Sequence, residues 1–337
     1  MEKVEEDRIT FLRTQKLTHY RVVQYNCLKL KVLCMEKNFC VQISSLIETL
    51  SRLPSIKYAI RTGTLSKRWR YLWTSVHTLI LTHTDPKSLS DFVSFVDKTL
   101  TQCRLLKLKK FKMYTVCRSR FESQFNEWIR YALIRNVEEL DLTVWYNANI
   151  KFPLDQKVFT SSCLTDLKLA GCAFNPTGAI RWVLDITSKS VKEVVILGYF
   201  NHEDEYGDND DIIEINAPNI LSLKIQDWLY LWKVLLLNVS SVVEANLNYR
   251  MLGYKERTRE EAEEEMLKGY ILNLHHVKEL IIGVFCTRVL ARLEAKGFVL
   301  PSSIKFTCHL YDGDSDSVKI GGREVLLIND PNGNKVD

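Results

Sequence analysis

One apolar pattern recurs along most of this chain and constrains its fold more than any other feature. The pattern is apolar-x-x-apolar-x-apolar, and its copies begin at positions 76, 108, 137, 164, 191, 220, 242, 277 and 301. Its second apolar residue falls at positions 79, 111, 140, 167, 194, 223, 245, 280 and 304, at spacings of 22 to 35 residues. Residues two apart in a strand point to the same side. Each copy therefore predicts a short strand whose apolar edge is buried only when neighbouring copies stack.

The spacing and the residue pattern of these copies are typical of leucine-rich repeats. The copy at Leu164, Leu167 and Leu169 matches that consensus in full, with Cys172 at the position that takes Asn or Cys. Between two copies, the stretch Phe121–Ile134 has apolar residues at helical spacing. We therefore predict an α/β fold over residues 77–310, an irregular leucine-rich-repeat solenoid with a curved parallel sheet and helices on its convex side.

The same geometry nominates a binding face. Side chains that alternate with the inward apolar pairs point to the concave side of the predicted sheet. The candidate substrate-binding residues on that face are Asp141, Lys168, Lys224, Gln226 and Asn246. Their mixture of charges and amides suits a protein partner, and the alternative is a merely solvated sheet surface.

A short helical module, residues 44–76, precedes the repeats. The spacing predicts three helices: one with an apolar face over 46–53 that Pro54 ends, one over 56–62 that Gly63 ends, and one capped by Ser66 with a face over 69–76. Pro54 is predicted to sit in the first turn of the second helix, where its missing N–H costs nothing. Helices this short bury too little surface to be stable alone, so they must pack on a neighbouring domain or a partner.

These residues resemble the second half of a plant F-box. Leu50-Ser51-Arg52-Leu53-Pro54, then Ala59, then the run Leu65 to Trp73 follow the pattern LSxLP…A…LSKRWxxLW. The resemblance implies docking on a Skp-type adaptor and, through it, on a cullin-based ubiquitin ligase. By resemblance, the adaptor-facing or supporting residues are Leu50, Leu53, Pro54, Ile56, Leu65 and Trp69. A chance amphipathic helix pair is the alternative. With the repeats that follow, the chain resembles the plant F-box/LRR family over nearly its whole length.

The first half of the F-box pattern is interrupted. Asp7 to Leu12 matches the opening of the family's motif, but Arg13 stands where proline is expected. Residues 13–42 then intervene, with six Lys and Arg against one acidic residue. Residues 1–43 are therefore predicted to be an aberrant segment that can be disordered. Two interpretations stay open: an insertion or gene-model error, or a basic arm for RNA or a partner. At the other end, residues 311–337 are predicted to be a tail, either a strand pair or frayed.

Composition excludes several classes of protein. Of the 337 residues 46% are apolar and 26% charged, which is typical of a folded soluble chain. No run approaches the roughly 18 apolar residues that a membrane span needs. The acidic start is unlike a targeting peptide. The nine cysteines contain no C-x-x-C pair, which argues against disulfides and zinc and favours the cytoplasm or the nucleus.

No catalytic pattern stands out. His275 and His276 are adjacent and so do not share a face, and neither a nucleophile elbow nor a phosphate-binding loop is present. We expect no catalytic residues, metals or cofactors, and neither nucleic acid nor membrane as a partner. The sequence predicts a non-catalytic substrate receptor that joins a Skp-type adaptor and cullin complex to a target protein. The alternatives are a repeat scaffold with a non-functional F-box, a nucleic-acid binder that uses the basic N-terminus and, most remotely, an enzyme with a Cys–His pair.

Overall fold

The computed structural model describes fourteen stretches of the chain. They are residues 39–65, 67, 69–83, 88–103, 107–146, 154, 157–170, 181–199, 211–230, 232–252, 256–310, 319–320, 323–324 and 326–329. Their contacts divide them into two units: one up to Val116 with Glu127–Glu139, the other Cys117–Asn126 with Leu140–Gly333. Most of the predicted insertion 13–42 and the repeat position Cys172 lie outside the described residues.

The described part contains seven α-helices and fifteen strands. The helices are α1 Phe39–Ser51, α2 Ile56–Thr62, α3 Leu89–Gln102, α4 Glu122–Ile134, α5 Lys157–Thr160, α6 Glu256–Asn273 and α7 Val284–Ala295. The strands are β1 Thr78–His83, β2 Lys110–Cys117, β3 Glu139–Tyr146, β4 Asp166–Ala170, β5 Arg181–Asp185, β6 Glu193–Tyr199, β7 Asp211–Asn216, β8 Ser222–Tyr230, β9 Trp232–Asn238, β10 Glu244–Leu252, β11 Glu279–Gly283, β12 Lys305–Leu310, β13 Lys319–Ile320, β14 Arg323–Glu324 and β15 Leu326–Asn329. None of the described helices combines the length and the apolar character needed to cross a bilayer.

The first two helices of the N-terminal module form much as predicted. Pro54 ends the apolar face of α1, but it lies just before α2 rather than in its first turn. The residue at the N-cap of α2 is Ser55, whose hydroxyl accepts a hydrogen bond from the backbone N–H of Lys57 at 3.4 Å. Gly63 follows the last turn as its C-cap. Both helix boundaries therefore have a local chemical cause.

The predicted third helix is wrong. The described residues from Trp69 onward form turns and a single 3₁₀ helix, Leu72–Ser75. The indole N–H of Trp73 donates to the backbone carbonyl of Arg70 at 3.1 Å, and that carbonyl would otherwise accept from the N–H of Thr74 in an α-helix. The Thr74 N–H bonds instead to the carbonyl three residues back, which is the 3₁₀ pattern.

The first two repeat copies stack within the first unit. β1 pairs with β2 in parallel, and the register places Leu79 beside Phe111 and Leu81 beside Met113. The crossover that a parallel pair requires contains α3, and Phe92 and Val96 on this helix are buried. The predicted inward positions of these two copies are therefore confirmed.

The second unit continues the pattern in one parallel sheet, whose strand order is β3, β4, β6, β8, β10, β11, β12 and β15. Its register aligns the second apolar residues of five successive copies: Leu167, Val194, Leu223, Ala245 and Leu280. Every apolar position of the first eight copies is at most 2% exposed. The predicted fold class, helices followed by a largely parallel repeat sheet, is confirmed.

The register of the last copy differs from the prediction by two residues. The pattern suggested Ile304 as its second apolar position, but Leu280 pairs with Phe306. Thr307 is fully buried in this strand, and its hydroxyl donates to a carboxylate oxygen of Glu279 at 2.8 Å. Phe306 and Cys308, rather than Ile304 and Phe306, therefore lie beside Leu280 and Ile282.

Strands replace helices in the connections of the middle repeats. β5, β7 and β9 form a separate three-stranded parallel sheet, in which Leu184 lies beside Ile215 and Ile213 beside Val234. The passage Trp182–Asp185, which joins two copies abruptly in the sequence, is part of β5. β-branched residues at alternate positions favour strands, whereas the predicted helices occur in the connections before β4 and after β10.

The C-terminal residues form strands. β13 and β14 pair antiparallel, and β15 adds to the main sheet beside β12. Of the two predicted forms of the tail, the strand pair is the one found in its described residues.

Helices α6 and α7 are joined by ion pairs. Arg292 donates to Glu263 at 2.7 Å and to Glu264 at 3.3 Å, and Lys296 donates to Glu264 at 2.6 Å. Burial raises the pKa of Glu264, but its two cationic partners together outweigh that effect and leave the pKa lowered. The folded chain therefore favours the charged carboxylate of Glu264 more than the unfolded chain does.

We expect Glu264→Gln to lower the free energy of unfolding by about 1 kcal/mol at neutral pH. Because the folded-state pKa is lowered, this contribution is complete above the unfolded-state pKa and is lost as pH falls through the folded-state value. The difference between wild type and variant, measured by urea unfolding from pH 7 to pH 3, should shrink with acidity. Glu265→Gln is the control, since the pair of Glu265 with Lys233 is exposed and weak. A difference that grows at low pH would contradict this account.

Two glycines provide a matched test of packing. Gly283 ends β11 where Asn248 approaches closely: a Cβ there would lie 1.8 Å from Asn248 Oδ1 and 3.0 Å from its Cα. Gly269 lies in α6, and a Cβ there would meet nothing within 4 Å. Gly283→Ala should destabilise the chain by about 1–3 kcal/mol through steric overlap. Gly269→Ala should stabilise it by about 0.5–1 kcal/mol through helix propensity. Chemical denaturation measures both, and equal effects of the two changes would be inconsistent with this packing.

Candidate functional site

Most of the predicted adaptor residues lie inside the N-terminal module. Leu50, Leu53, Ile56 and Trp69 are all buried, the most exposed of them at 8%. These side chains pack inside the module, so an adaptor cannot reach them in the free chain. Of the two roles that the sequence leaves open, adaptor-facing or supporting, burial fits the supporting one.

Two large apolar residues of the module, Leu65 and Tyr71, are exposed. Their side chains are 65% and 67% exposed, and the guanidinium of Arg70 lies 5.8 Å from the centre of the Tyr71 ring. Pro54 is half-buried. Tyr71 was not among the predicted residues. The sequence could have indicated Tyr71, because it is a large aromatic residue that does not belong to the apolar face formed by Trp69 and Trp73.

The second candidate surface is the open face of the main sheet, defined as the side whose residues alternate with the buried apolar pairs. The register sets its side chains in rows across the strands. One row runs through Lys168, Val195, Lys224, Asn246 and Ile281, all of them half-buried. The structure thus brings three of the predicted residues into one line.

A second row lies two residues further along the strands. It contains Leu197, Gln226 and Asn248. Gln226 is therefore near the first row, as predicted. Asp141 differs from the expectation: it and its neighbour Thr143 are buried, at 9% and 8% exposure, so both sides of β3 are covered.

The charges of the open face are partly paired with one another. Lys224 contacts Glu193 on the adjacent strand at 2.6 Å, with both side chains about one-third exposed. Lys305 lies 3.9 Å from Glu279, the residue opposite it in the pairing of β11 with β12. Exposed pairs of this kind contribute little to stability, so their residues remain available to a partner.

One acceptor on the open face lacks a donor. Asn246 Oδ1 is buried and has no hydrogen-bond partner among the described residues. Leaving such an atom unsatisfied costs about 1–3 kcal/mol. A donor supplied by a bound partner would recover part of that free energy.

Strand β8 contains a residue in the left-handed backbone region. Asp227 has φ 67°, and the pairing of β6 with β8 shifts register here, since Leu197 faces Gln226 but Tyr199 faces Leu229. This extra residue is a β-bulge, a device that redirects side chains beside binding sites. Surrounding protein raises the pKa of Asp227, and Lys168 acts in the opposite direction.

The described residues also include histidines and cysteines, which are groups that metal sites and nucleophilic catalysis use. No cluster of three potential metal ligands occurs among the described residues. His275 and His276 are exposed and their rings meet edge to face at 5.6 Å. Burial raises the pKa of Cys103 to about 11 and that of Cys286 to about 12, so both remain thiols at neutral pH.

Comparison with known proteins agrees with the geometry. The family profile described as At1g61320/AtMIF1, LRR domain, matches residues 98–200. Among Arabidopsis thaliana proteins, the F-box protein At5g03100 is 27% identical over 282 residues, which cover 73% of this chain and 88% of that protein. The putative F-box/LRR-repeat protein At3g18150 is 25% identical over 312 residues, covering 77% of this chain and 65% of the relative. F-box/LRR-repeat protein 13 is 32% identical over 129 residues, covering 37% of this chain and 28% of that protein.

The chain is similar to the plant F-box/LRR-repeat proteins. The predicted resemblance is thereby confirmed. No solved structure matches this chain. The matched profile spans α4, β3 and β4, where the repeat positions are fully buried.

Proposed function

We propose that this chain is the substrate receptor of a cullin-based ubiquitin ligase. The N-terminal module would dock on a Skp-type adaptor, and the open face of the repeat sheet would hold a target protein. The observation that carries the proposal is the exposure of Leu65 and Tyr71, which lie within the F-box-like sequence, while Leu50, Leu53, Ile56 and Trp69 of the same sequence are buried.

The mechanism needs no bond chemistry from this chain. Holding the target and the ubiquitin-charged enzyme in one assembly makes transfer effectively intramolecular, which raises the effective concentration of the reacting groups. The buried, protonated Cys103 and Cys286 are not available as nucleophiles. The chain therefore acts as a non-catalytic subunit with no cofactor.

The open face suits a protein target better than a small molecule. It presents amides, aliphatic side chains and weakly paired charges at half-buried positions over several strands. Such a mixture is typical of non-obligate protein interfaces. Both the cytoplasm and the nucleus are proposed sites of action, because the nine cysteines form no paired motif.

The adaptor contact is tested by Leu65→Glu. A charge placed at the centre of an apolar contact should weaken binding to a Skp-type adaptor about tenfold or more. Leu65 is mostly exposed, so the fold should survive. The full chain is co-expressed with the adaptor, co-purified, and the affinity is measured by calorimetry.

Val299→Glu is the matched control, since Val299 is an exposed apolar residue outside the module, at 84% exposure. It should leave adaptor binding unchanged. Equal binding by Leu65→Glu and wild type would refute the proposed contact. If the wild type does not bind the adaptor, the proposed function is wrong. The alternative, a repeat scaffold with a non-functional F-box, would then be supported.

The target surface is tested by the double variant Lys168→Glu and Lys224→Glu. Proximity labelling in plant cells with the proteasome blocked should show candidate targets that the double variant no longer enriches, because two charges on one row are reversed. Adaptor recovery should not change. The control is Lys189→Glu, an exposed lysine outside the strands of the open face. If the double variant and the control enrich the same proteins, the open face is not the target surface.

A further inference from the structure

A polar pocket of about 230 Å³ lies between helix α2 and strand β1, both of which belong to the first unit. The residues that line it are Ser55, Lys57, Tyr58, Arg61 and Thr82. Sites for drug-sized ligands usually enclose roughly 300–1,000 Å³. A pocket of this size therefore suits one small polar molecule or one side chain of a partner.

The two charged residues of the lining are both cationic. Lys57 and Arg61 are one turn apart on α2, and no carboxylate within the described part of the chain forms an ion pair with either of them. Arg61 is exposed, and its guanidinium group has no aromatic ring beside it among the described residues. Its hydrogen-bond donors are therefore available to a ligand.

The acidic residues of the neighbouring helices do not neutralise this charge. Glu48 on α1 bonds to Arg52, and Asp97 on α3 accepts a hydrogen bond from a tryptophan indole at 2.8 Å. Asp91 on α3 is exposed and forms no ion pair with a described residue. Over residues 44–76 the sequence has six Lys and Arg against one acidic residue, so the module as a whole attracts anions.

Aromatic rings of α3 hold the side chain of Lys57 in place. Its Nζ lies 5.4 Å from the centre of the Phe95 ring and 5.7 Å from that of the Phe92 ring. Both distances are within the range of cation–π contacts. An ammonium group has three N–H donors, and ring faces attract its charge without supplying an oxygen acceptor. Lys57 is thus ordered beside the pocket and still able to donate.

A buried hydroxyl in the lining also lacks an acceptor. Ser55 is 4% exposed, and its Oγ accepts a hydrogen bond from the N–H of Lys57 at 3.4 Å. No described residue accepts from the O–H of Ser55. Buried polar groups are nearly always hydrogen-bonded. An anionic oxygen in the pocket would accept from this hydroxyl and from that of Thr82, which has no side-chain partner among the described residues either.

We propose that Ser55, Lys57, Arg61 and Thr82 form a binding pocket for a carboxylate group. A guanidinium fork pairs with a planar carboxylate through two parallel hydrogen bonds. Only one of the two cations is free of ring contacts, so the charge to be compensated is closer to that of a carboxylate than to the −1.5 to −2, approximately, of a phosphate monoester. The carboxylate would come from a small organic acid or from an acidic side chain of a partner protein.

This inference goes beyond the proposed function, because the pocket is separate from the exposed residues Leu65 and Tyr71 and its chemistry does not require the adaptor. Failure of adaptor docking and failure of carboxylate binding are therefore separate results.

The test uses the full chain and succinate as the probe, in a chloride buffer without other carboxylates. The wild type should bind succinate in calorimetry. Arg61→Gln should weaken the affinity about tenfold or more, because it removes a charged donor pair from an exposed position and leaves the fold intact. Thr82→Val, which removes only a hydroxyl, should weaken the affinity about fivefold.

Two further variants distinguish a built site from general charge attraction. Lys67→Gln removes an exposed positive charge of the same module that does not line the pocket, and it should bind succinate as the wild type does. Arg61→Lys keeps the net charge but loses the planar fork, so it should bind more weakly than the wild type. Equal losses in Lys67→Gln and Arg61→Gln, or full binding by Arg61→Lys, would overturn the proposal.

The source of the carboxylate is tested with a blocked pentapeptide that has one central aspartate and with its asparagine counterpart. Tighter binding of the aspartate peptide than of succinate, with loss in Arg61→Gln, supports an acidic side chain of a partner protein. Tighter binding of succinate supports a small organic acid. Equal binding of the asparagine peptide, tighter binding of inorganic phosphate than of either carboxylate, or a wild type that binds neither carboxylate would contradict the proposed pocket.

Discussion

Two apolar side chains on each strand, which no single repeat can bury, are the constraint on which this structure depends. A short strand exposes its inward residues unless another strand lies beside it in register. The parallel alignment of Leu167, Val194 and Leu223 shows how that need is met. Burial of side chains of this size stabilises each by about 1.5–3 kcal/mol, so a ladder of such residues outweighs the irregular connections. The variable spacing of the repeats is tolerated because only the strands must match.

The same register determines what the protein can bind. Once the inward positions are fixed, the alternating residues are set in rows, and Lys168, Lys224 and Asn246 fall on one line although they are far apart in sequence. The row positions depend on the ladder and not on any contact between those side chains. Their identities can therefore change without cost to the ladder.

The sequence predicted the repeated strands because their signal is strictly periodic. It failed where a different interaction replaced the apolar pattern. In the last copy Cys308 lies beside Ile282, at a position that the apolar pattern did not include. The Trp73 indole N–H donates to a backbone carbonyl that the predicted third helix would have used. The strands β5, β7 and β9 were missed because short apolar runs such as Ile212 to Ile215 do not distinguish a strand from a helix.

The candidate sites were predictable to different degrees. Alternation along a strand was enough to place Lys224 and Gln226 on the open face. It could not show that Asp141 is buried, since coverage of both sides of β3 depends on tertiary packing. Motifs within one segment are visible in a sequence, whereas sites assembled from several segments are not.

The central claim is that successive repeats form one parallel ladder in the stated register. The most direct measurement is the distance between spin labels at Lys168 and Ile281, introduced as non-canonical amino acids because the chain has nine cysteines. These residues share a row and are separated by four strand-to-strand steps through Val195, Lys224 and Asn246. At about 4.8 Å a step, the account predicts a narrow distribution centred near 19 Å between the backbones, before allowance for the label arms. A broad distribution, or one centred beyond about 30 Å, would contradict it.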